Sequence, residues 1–214
     1  MPGGDSGVDV EQYDDVWVFV EQHDGEVAGV AWELLTKGRD LADQREEDLV
    51  ALVMGEDLDE TSIPEECIAR GADRVLVADD PVFEPYRSDP YGEQFRYLVE
   101  ERKPAIALIG GTHTGRDFAG RVAVPNHAGL TADCTELEME NGRYEMRRPA
   151  FGGDALATII CPDHRPQMST VRPGVFPTAE PDDDREGEVI EVEVVVQEEE
   201  TMTEVLEREV GDVA

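Results

Sequence analysis

Lysine is almost absent from this chain of 214 residues. Only Lys37 and Lys103 occur, and arginine supplies the rest of 18 basic residues, against 51 Asp and Glu residues and a formal net charge of -33. Because no basic stripe of the kind that binds nucleic acid is present, we predict no nucleic-acid partner. Acidic surfaces poor in lysine suit molar salt, where the Debye length falls to about 3 Å and repulsion is screened. We predict a high-salt cytoplasm; the alternative is an acidic surface that docks basic partners.

Cysteine is also scarce, and long apolar runs are missing. The three cysteines, Cys67, Cys134 and Cys161, form no C-x-x-C pair, and Met1 is followed by polar and acidic residues instead of an apolar signal segment. This pattern predicts a reducing cytosol. No apolar run approaches the ~20 residues of a membrane span, so we predict no integral membrane segment. A chain of this length buries enough surface to fold without disulfide or metal staples.

Short apolar strands alternate with amphipathic helices through the first half of the chain. In chain order the predictions are strand 16–20, helix 30–41, strand 48–54, helix 62–71 opened by a capping box, strand 74–78, a helix around Phe95, Leu98 and Val99, strand 105–109 and helix 116–124. Such alternation predicts an α/β fold, doubly wound and Rossmann-like, with a mainly parallel sheet and right-handed connections.

The second half has a different rhythm. Asn141-Gly142 is the strongest hairpin signal and separates predicted strands at 132–139 and 144–148, and a further strand is predicted at 155–160. We expect these later strands to extend the sheet as a mixed or antiparallel portion. Residues 188–196 alternate acidic and apolar side chains, as a half-exposed edge strand does, and residues 201–209 have the spacing of a short helix.

The domain boundaries follow from these patterns. Residues 1–15 are acidic and glycine-rich without apolar periodicity, so we expect a mobile leader. Residues 16–200 form the predicted α/β domain. Residues 201–214 are predicted to be an exit segment that leads out of it.

A turn rich in glycine and threonine follows the apolar run Ala105–Ile109. It reads Gly-Gly-Thr-His-Thr-Gly-Arg-Asp over residues 110–117 and opens a predicted helix. Open α/β sheets build anion sites in this way, because backbone N–H groups and the helix N-terminus point at the ligand. The candidate binding residues are Thr112, Thr114, Gly115, Arg116 and Asp117. The spacing matches neither standard nucleotide motif, so a structural or interface role for the turn is the other interpretation.

Three further motifs follow this turn in a fixed order: Thr-Ala-Asp-Cys-Thr at 131–135, Arg-Pro-Ala-Phe-Gly-Gly at 148–153 and His-Arg-Pro-Gln-Met-Ser-Thr-Val-Arg-Pro-Gly at 164–174. Together with Thr-Gly-Arg-Asp at 114–117 they resemble the amino-terminal domain of the electron-transfer flavoprotein alpha subunit. The resemblance extends from Val16 to Arg208. Asp154 departs from it, since the family usually has Asn at this position.

The resemblance implies a role as an electron carrier and not as an enzyme. In the family the alpha subunit continues into a second domain that holds FAD, and this chain stops at Ala214. A partner beta subunit binds AMP, and no cofactor is expected to bind tightly to this chain alone. The assembled heterodimer would accept electrons from dehydrogenases, such as the acyl-CoA dehydrogenases of fatty acid beta-oxidation, and pass them to a quinone reductase. This domain would act as a scaffold and as the contact surface for the beta subunit.

Basic residues outnumber acidic residues between positions 143 and 172, unlike the rest of the chain. This stretch contains five arginines and three acidic residues. Arginine beside an aromatic residue in rigid loops suits a protein interface. The predicted interface residues are Arg147, Arg148, Phe151, Arg165 and Arg172. The alternative interpretation is that these arginines pair with carboxylates of their own domain, and the resemblance favours contact with the beta subunit.

Other chemistries have less support. The alternative function is a stand-alone module of the adenine-nucleotide hydrolase-like superfamily, with AMP or ATP phosphate bound at residues 112–117. A hydrolase that uses Asp117 or His113 as its base has no supporting motif. Cys161-x-x-His164 supplies two ligands where a zinc site needs four, so no metal is predicted. Trp17 and Trp32 are interpreted as packing residues.

Overall fold

A central parallel sheet organises the structure, a computed structural model that describes residues 9–207. In chain order the strands are β1 (Asp14–Val20), β2 (Gln22–His23), β3 (Glu26–Val27), β4 (Leu49–Gly55), β5 (Arg74–Asp79), β6 (Pro104–Gly110), β7 (Gly129–Cys134), β8 (Glu136–Glu140), β9 (Arg143–Ala150), β10 (Ala155–Ile159), β11 (Gln167–Val171) and β12 (Glu188–Glu191). The helices are α1 (Gly29–Arg45), α2 (Ile63–Ala69), α3 (Ser88–Arg102) and α4 (His113–Ala123).

Seven strands form the central sheet in the order β12-β5-β4-β1-β6-β11-β7, and every pair is parallel. The middle strands β4 and β6 are buried along their whole length. Parallel strands covered on both faces read as continuous apolar runs, which is why the sequence marks them so clearly. The predicted strands at 16–20, 48–54, 74–78 and 105–109 are all confirmed.

Helices cover both faces of this sheet. Leu34 and Leu35 of α1 and Ile63 of α2 belong to the apolar cluster on one face. Phe95 of α3 and Phe118 of α4 belong to the cluster on the opposite face. This arrangement confirms the doubly wound, Rossmann-like α/β fold.

The later strands correct one expectation. Strands β8, β9 and β10 form a separate antiparallel sheet, and residues 136–160 that contain it are called the arm. The turn at Asn141 and Gly142 has positive φ at both residues, as the hairpin signal predicts. The expectation that these strands extend the central sheet is wrong. The arm instead packs on the α1 face through Leu137, Tyr144 and Met146.

The predicted strand at 132–139 is two strands in two sheets. Strand β7 ends at Cys134 and pairs with β11, whereas β8 begins at Glu136 and pairs with β9. The Tyr144 and Ser169 hydroxyls are 2.8 Å apart and connect the arm to the central sheet. A change of sheet at one residue has no signature in side-chain alternation, so the sequence presents both strands as one.

Strand β11 (Gln167–Val171) lies inside the motif at 164–174 and was not predicted from the sequence. Its five residues are all buried between β6 and β7. Three of them, Gln167, Ser169 and Thr170, are polar, so no apolar run marks the strand. Their side chains instead complete contacts inside the domain; for example, Thr170 Oγ1 accepts a hydrogen bond from Asp133 N at 3.1 Å.

The chain ends differ from the predicted boundaries. Val10–Gln12 form a short 3-10 turn and β1 begins at Asp14, so described structure precedes Val16. Residues 1–8 of the expected leader lie outside the described residues. The helix predicted at 201–209 is wrong for 201–207, which are not helical, and its last two residues lie outside the described part. In the predicted strand 188–196, only Glu188–Glu191 pair with β5.

The segment at residues 192–203, called the strap, runs along α3. The buried Gln94 side chain donates to Glu193 O at 2.8 Å and accepts from Val195 N at 2.9 Å, as a neighbouring strand would. The buried Arg87 guanidinium binds both Glu198 carboxylate oxygens at 2.6 and 2.7 Å. These contacts replace the helix expected near this point. No helix within residues 9–207 is long and apolar enough to cross a membrane.

Asp73 connects three elements at the amino-terminal edge of the sheet, and its ionisation should contribute to stability. Its carboxylate accepts from Leu49 N at 2.8 Å, Arg39 at 2.5 Å and Arg185 at 2.6 Å. Burial alone would raise the pKa of Asp73, but these hydrogen bonds and the two arginine charges lower it.

Asp73→Asn should therefore lower the melting temperature at pH 7. A carboxylate whose pKa is lowered by folding stabilises the fold above its unfolded pKa of about 3.9, and that stability is lost as the pH falls through the lower folded value. Melting curves of wild type and variant should thus converge below about pH 4. A gap that stays constant from pH 7 to pH 3 would contradict this role of Asp73.

Candidate functional site

The predicted turn lies where a doubly wound fold places its ligands. The strand order reverses between β1 and β6, because β4 and β5 follow on one side of β1 and β11 and β7 follow on the other side of β6. Ligands of open α/β sheets bind at the carboxyl ends of strands at such a switch point. Residues 110–117 connect β6 to α4 at this edge, so the sequence located the position correctly.

The glycines of the turn face other protein atoms. A Cβ on Gly115 would lie 2.0 Å from Gly110 O, and one on Gly111 would lie 2.7 Å from Val171 O. Gly111 N also donates to Val171 O at 2.6 Å. The glycines therefore allow α4 and β11 to approach the end of β6 closely. This packing explains the glycines without a ligand.

Thr112 caps α4 and is held by a buried carboxylate. Its Oγ1 accepts from Gly115 N at 2.9 Å and donates to Glu21 Oε2 at 2.5 Å. Glu21 is only 5% exposed, and its other oxygen lies 3.1 Å from His23 Nε2. An anion at this cap would face the Glu21 carboxylate. The turn therefore does not fit a nucleotide or flavin phosphate well, and the phosphate site at residues 112–117 stays a prediction.

The other candidate residues of the turn bind their own domain. Tyr86 OH donates to Asp117 Oδ2 at 3.0 Å and lies 3.3 Å from Thr114 O. Burial and the nearby Asp117 charge raise the pKa of the Tyr86 phenol, so it remains a donor at neutral pH. Arg116 Nε donates to Thr112 O at 3.0 Å and leaves the guanidinium exposed. Asp117 is thus an acceptor that fixes Tyr86.

Sequence reasoning did not identify Glu21, His23 and Tyr86 as neighbours of this turn. Glu21 and His23 follow the carboxyl end of β1, the strand beside β6, so topology alone could have placed them here. Tyr86 lies in the proline-rich loop before α3, and its position has no signal in the sequence.

Two of the predicted interface arginines pair with carboxylates of the domain itself. Arg172 binds Asp133 through two hydrogen bonds, at 3.0 and 2.6 Å. Arg147 lies across the outer face of the arm among four glutamates, Glu136, Glu138, Glu140 and Glu145. Both residues thus have partners within their own domain, and a role in an interface stays a prediction for them.

Arg165 stabilises its own loop. Its Nη1 donates to the carbonyl oxygens of Cys161, Pro162 and His164, at 3.3, 3.3 and 2.8 Å. Burial and the positive charge of Arg45 lower the pKa of the Arg165 guanidinium. Its donors are thus directed at backbone atoms of this loop.

Arg148 and Phe151 differ from these three residues. Arg148 forms no salt bridge within residues 9–207, although its charge acts on Asp133 and Cys134. Phe151 is 86% exposed at the tip of the arm, with a φ of 50°. Leu156 and Ile160 are also exposed on the arm. A protruding aromatic side chain in a left-handed conformation, beside exposed aliphatic groups, is unusual for a free surface and typical of a contact with another protein.

Cysteine and metal chemistry have no geometric support in the described part of the chain. No group of three or more His, Cys, Asp or Glu side chains there could hold a metal ion. Burial raises the pKa of the Cys134 thiol to about 12, so the reactive thiolate is not formed at neutral pH. Trp17 is buried against Phe95, with ring centroids 6.2 Å apart, as a packing residue should be.

Comparison with known proteins agrees with the four ordered motifs. The sequence model of a family described as "Electron transfer flavoprotein domain" matches residues 16–197. The chain belongs to the electron transfer flavoprotein domain family. The resemblance predicted from the motifs is thereby confirmed.

Curated relatives match most of the chain. The alpha subunit of the electron transfer flavoprotein of Thermoanaerobacterium thermosaccharolyticum is 43% identical over 92% of this chain and 59% of its own length. Protein FixB of Clostridium saccharobutylicum is 47% identical over 79% of this chain and 50% of its own length. An acryloyl-CoA reductase electron transfer subunit beta of Anaerotignum propionicum is 40% identical over 82% and 54%, respectively.

The matched region covers only part of each relative. The chain spans between half and three fifths of the length of these three relatives. Relatives named as electron transfer flavoprotein subunits are electron carriers and not enzymes, as the resemblance implied. The activity of a whole electron transfer flavoprotein is therefore a matter of proposal for this chain.

Proposed function

We propose that this domain is the scaffold of an FAD-containing electron transfer flavoprotein heterodimer and that it contacts the beta subunit through the arm. The observation that carries the proposal is the exposed apolar surface of the arm, with Phe151 at its tip. Aromatic side chains in desolvated contacts supply much of the binding energy of protein interfaces. Similarity to alpha subunits implies a beta subunit, which we take as the partner of this surface.

The proposed heterodimer carries electrons. It would receive them on FAD from dehydrogenases, such as acyl-CoA dehydrogenases, and deliver them to a quinone reductase. FAD would be held mainly by a further domain of the alpha subunit, and AMP by the beta subunit. The phosphate position at Thr112 faces Glu21, so we assign this domain no cofactor contact there. Its own residues supply a rigid parallel sheet and the arm.

We also propose that the protein works in a cytoplasm of high salt. Its net charge of -33 leaves strong repulsion between exposed carboxylates, which molar salt would screen. Two lysines among 18 basic residues support the same proposal. Arginine is better suited than lysine to fixed ion pairs such as that between Arg172 and Asp133.

Phe151→Ser should weaken binding of the beta subunit by at least about tenfold, which corresponds to about 1.4 kcal/mol. The variant removes the exposed ring at the tip of the arm and leaves the core intact. Isothermal titration calorimetry in molar KCl, with the beta subunit from the same genome, measures the dissociation constant.

Leu206→Ser is the matched control for this experiment. Leu206 is 88% exposed but lies outside the arm, so its loss should leave the affinity unchanged. Equal affinities of the Phe151 variant and wild type, with equal melting temperatures, would contradict the assignment of the arm as the contact surface.

The nucleotide-binding alternative has no comparable observation in its favour. The cap hydroxyl of Thr112 already binds Gly115 N and Glu21, and an added phosphate would meet a second negative charge. Calorimetric titration with AMP, ATP and FAD separates the two functions. Binding of a nucleotide that is lost in Thr112→Val would restore the alternative.

A further inference from the structure

Three arginines converge where strands β6, β11 and β7 end. Arg116 belongs to the first turn of α4, Arg172 follows β11, and Arg148 lies on β9 at the base of the arm. Only one carboxylate, that of Asp133, is hydrogen-bonded by any of the three, and its partner is Arg172. Within residues 9–207 Arg116 and Arg148 form no salt bridge, and Arg116 Nε instead donates to Thr112 O. These two arginines therefore keep a positive charge that no carboxylate within hydrogen-bonding distance offsets in the described part of the chain.

The backbone brings these residues together. Val171 pairs with Gly110 on one side and with Cys134 on the other, so the three strands end at the same edge. Arg172 N donates to Cys134 O at 2.9 Å. Thr135 N donates to Arg147 O at 2.8 Å and attaches the base of the arm to the end of β7. Arg148 is therefore held next to the Asp133 and Arg172 pair.

The pKa of Asp133 agrees with the placement of the three arginines around it. The hydrogen bond from Arg172 is the main cause that lowers the pKa of Asp133, and Arg148 and Arg116 lower it further by their charges. One carboxylate thus faces three guanidinium groups. The local charge is positive on a surface that is otherwise strongly negative.

We propose that Arg116, Arg148 and Arg172, called the arginine cluster, bind carboxylates of the beta subunit at the base of the docked arm. This inference rests on the proposed function, because the beta subunit is the partner that the arm would meet. Arginine next to an aromatic anchor is the composition that interface centres favour, and only two residues separate Arg148 from Phe151 along the chain.

Charge complementarity favours a protein carboxylate as the occupant. A chain with net charge -33 repels acidic surfaces overall, so a local positive site such as the arginine cluster would also help to fix the orientation of the partner. A free phosphate at the same edge would approach the Glu21 carboxylate behind Thr112. Carboxylates on a folded partner can reach Arg148 and Arg172 without doing so.

The test compares wild type with the double variant Arg116→Gln/Arg148→Gln. Arg172 is left in place because it pairs with Asp133. The matched control is Arg143→Gln, which removes an exposed arginine from the other end of the same strand, β9. Dissociation constants for the beta subunit are measured by biolayer interferometry from about 0.5 to 3 M KCl. At about 1 M salt the Debye length is about 3 Å, so ion pairs are strongly screened over most of this range.

If the arginine cluster binds the partner, the double variant should bind the beta subunit about tenfold more weakly than wild type at the lowest salt concentration. This difference in dissociation constant should become smaller as KCl screens the ion pairs. The control should bind like wild type, and all three proteins should melt at the same temperature. If wild type and the double variant bind equally at every salt concentration, the inference fails and the proposed function stands. If wild type itself does not bind the beta subunit, the proposed function fails and the inference fails with it.

A phosphate group is the other possible ligand of the arginine cluster, and inorganic phosphate is the probe that tests it. It is titrated into wild type and the double variant by calorimetry, and into the complex as a competitor. The proposal expects no saturable phosphate binding. Saturable phosphate binding that is lost in the double variant, together with displacement of the beta subunit by phosphate, would identify a phosphate group as the ligand of the arginine cluster. That result would overturn the proposal.

Discussion

Gly115→Ala should destabilise the domain by about 3 kcal/mol or more, because the added methyl group has no space. Its Cβ would lie 2.0 Å from Gly110 O and 2.8 Å from Ile109 Cγ2. Both neighbours belong to the buried strand β6, whose backbone is fixed by hydrogen bonds to β1 and β11. Relief would require α4 to move away from the sheet, which would expose Phe118 and Val122.

Gly120→Ala is the matched control on the same helix. No atom lies within 4 Å of a Cβ at Gly120, and alanine is the better helix former by about 1 kcal/mol. This variant should therefore be as stable as wild type or slightly more so. Urea unfolding in molar KCl measures both. Wild-type stability of Gly115→Ala would mean that the glycine is required for something other than close packing, and a ligand at the turn would regain support.

Phe118→Ala should cost about 3–5 kcal/mol. The ring of Phe118 is fully buried at the centre of an aromatic cluster, 4.8 Å from Phe19 in an edge-to-face contact and about 6 Å from Tyr91 and Phe95. Its removal leaves a cavity between α4, α3 and the sheet that these rigid rings cannot fill. The measurement is again the free energy of unfolding in urea.

The same substitution at Phe151 should change stability by less than about 0.5 kcal/mol, because an exposed ring has few packing contacts to lose. The two variants therefore separate folding from association. Phe118→Ala affects the fold, and Phe151→Ala affects binding of the beta subunit alone. A Phe151 variant that is destabilised as strongly as the Phe118 variant would show that the arm tip packs inside the domain.

The fold was predictable wherever burial alone decided the structure. Strands β4 and β6 are buried on both faces, so their apolar runs identify them in the sequence. Strand β11 is equally buried but contains Ser169 and Thr170, whose hydroxyl groups have partners that only the folded structure supplies. The pattern of apolar residues reports burial without regard to hydrogen bonding, and so it misses such a strand.

The candidate site was predictable in position but not in composition. The turn after β6 is at the switch point, as the alternation of strands and helices indicates. Its closest polar partners, Glu21 and Tyr86, come from other loops, and no local pattern predicts a contact across such a distance in sequence. Tertiary contacts of this kind decide whether a glycine-rich turn binds an anion.

The charge inversion at residues 143–172 was informative only in part. Arg147 and Arg172 pair with carboxylates of neighbouring strands, which counting along the sequence does not reveal. Arg148, one residue from Arg147, points to a different environment because side chains alternate across a strand. The partner of an arginine is thus set by strand register, and register was not predictable here.

The measurement that tests the central claim most directly is size-exclusion chromatography with light scattering in molar KCl, with the beta subunit from the same genome added in excess. If this domain is the scaffold that the arm and family membership indicate, the two proteins should elute together at the mass of a one-to-one complex. Separate elution of two folded proteins would contradict the claim that this domain by itself contacts the beta subunit.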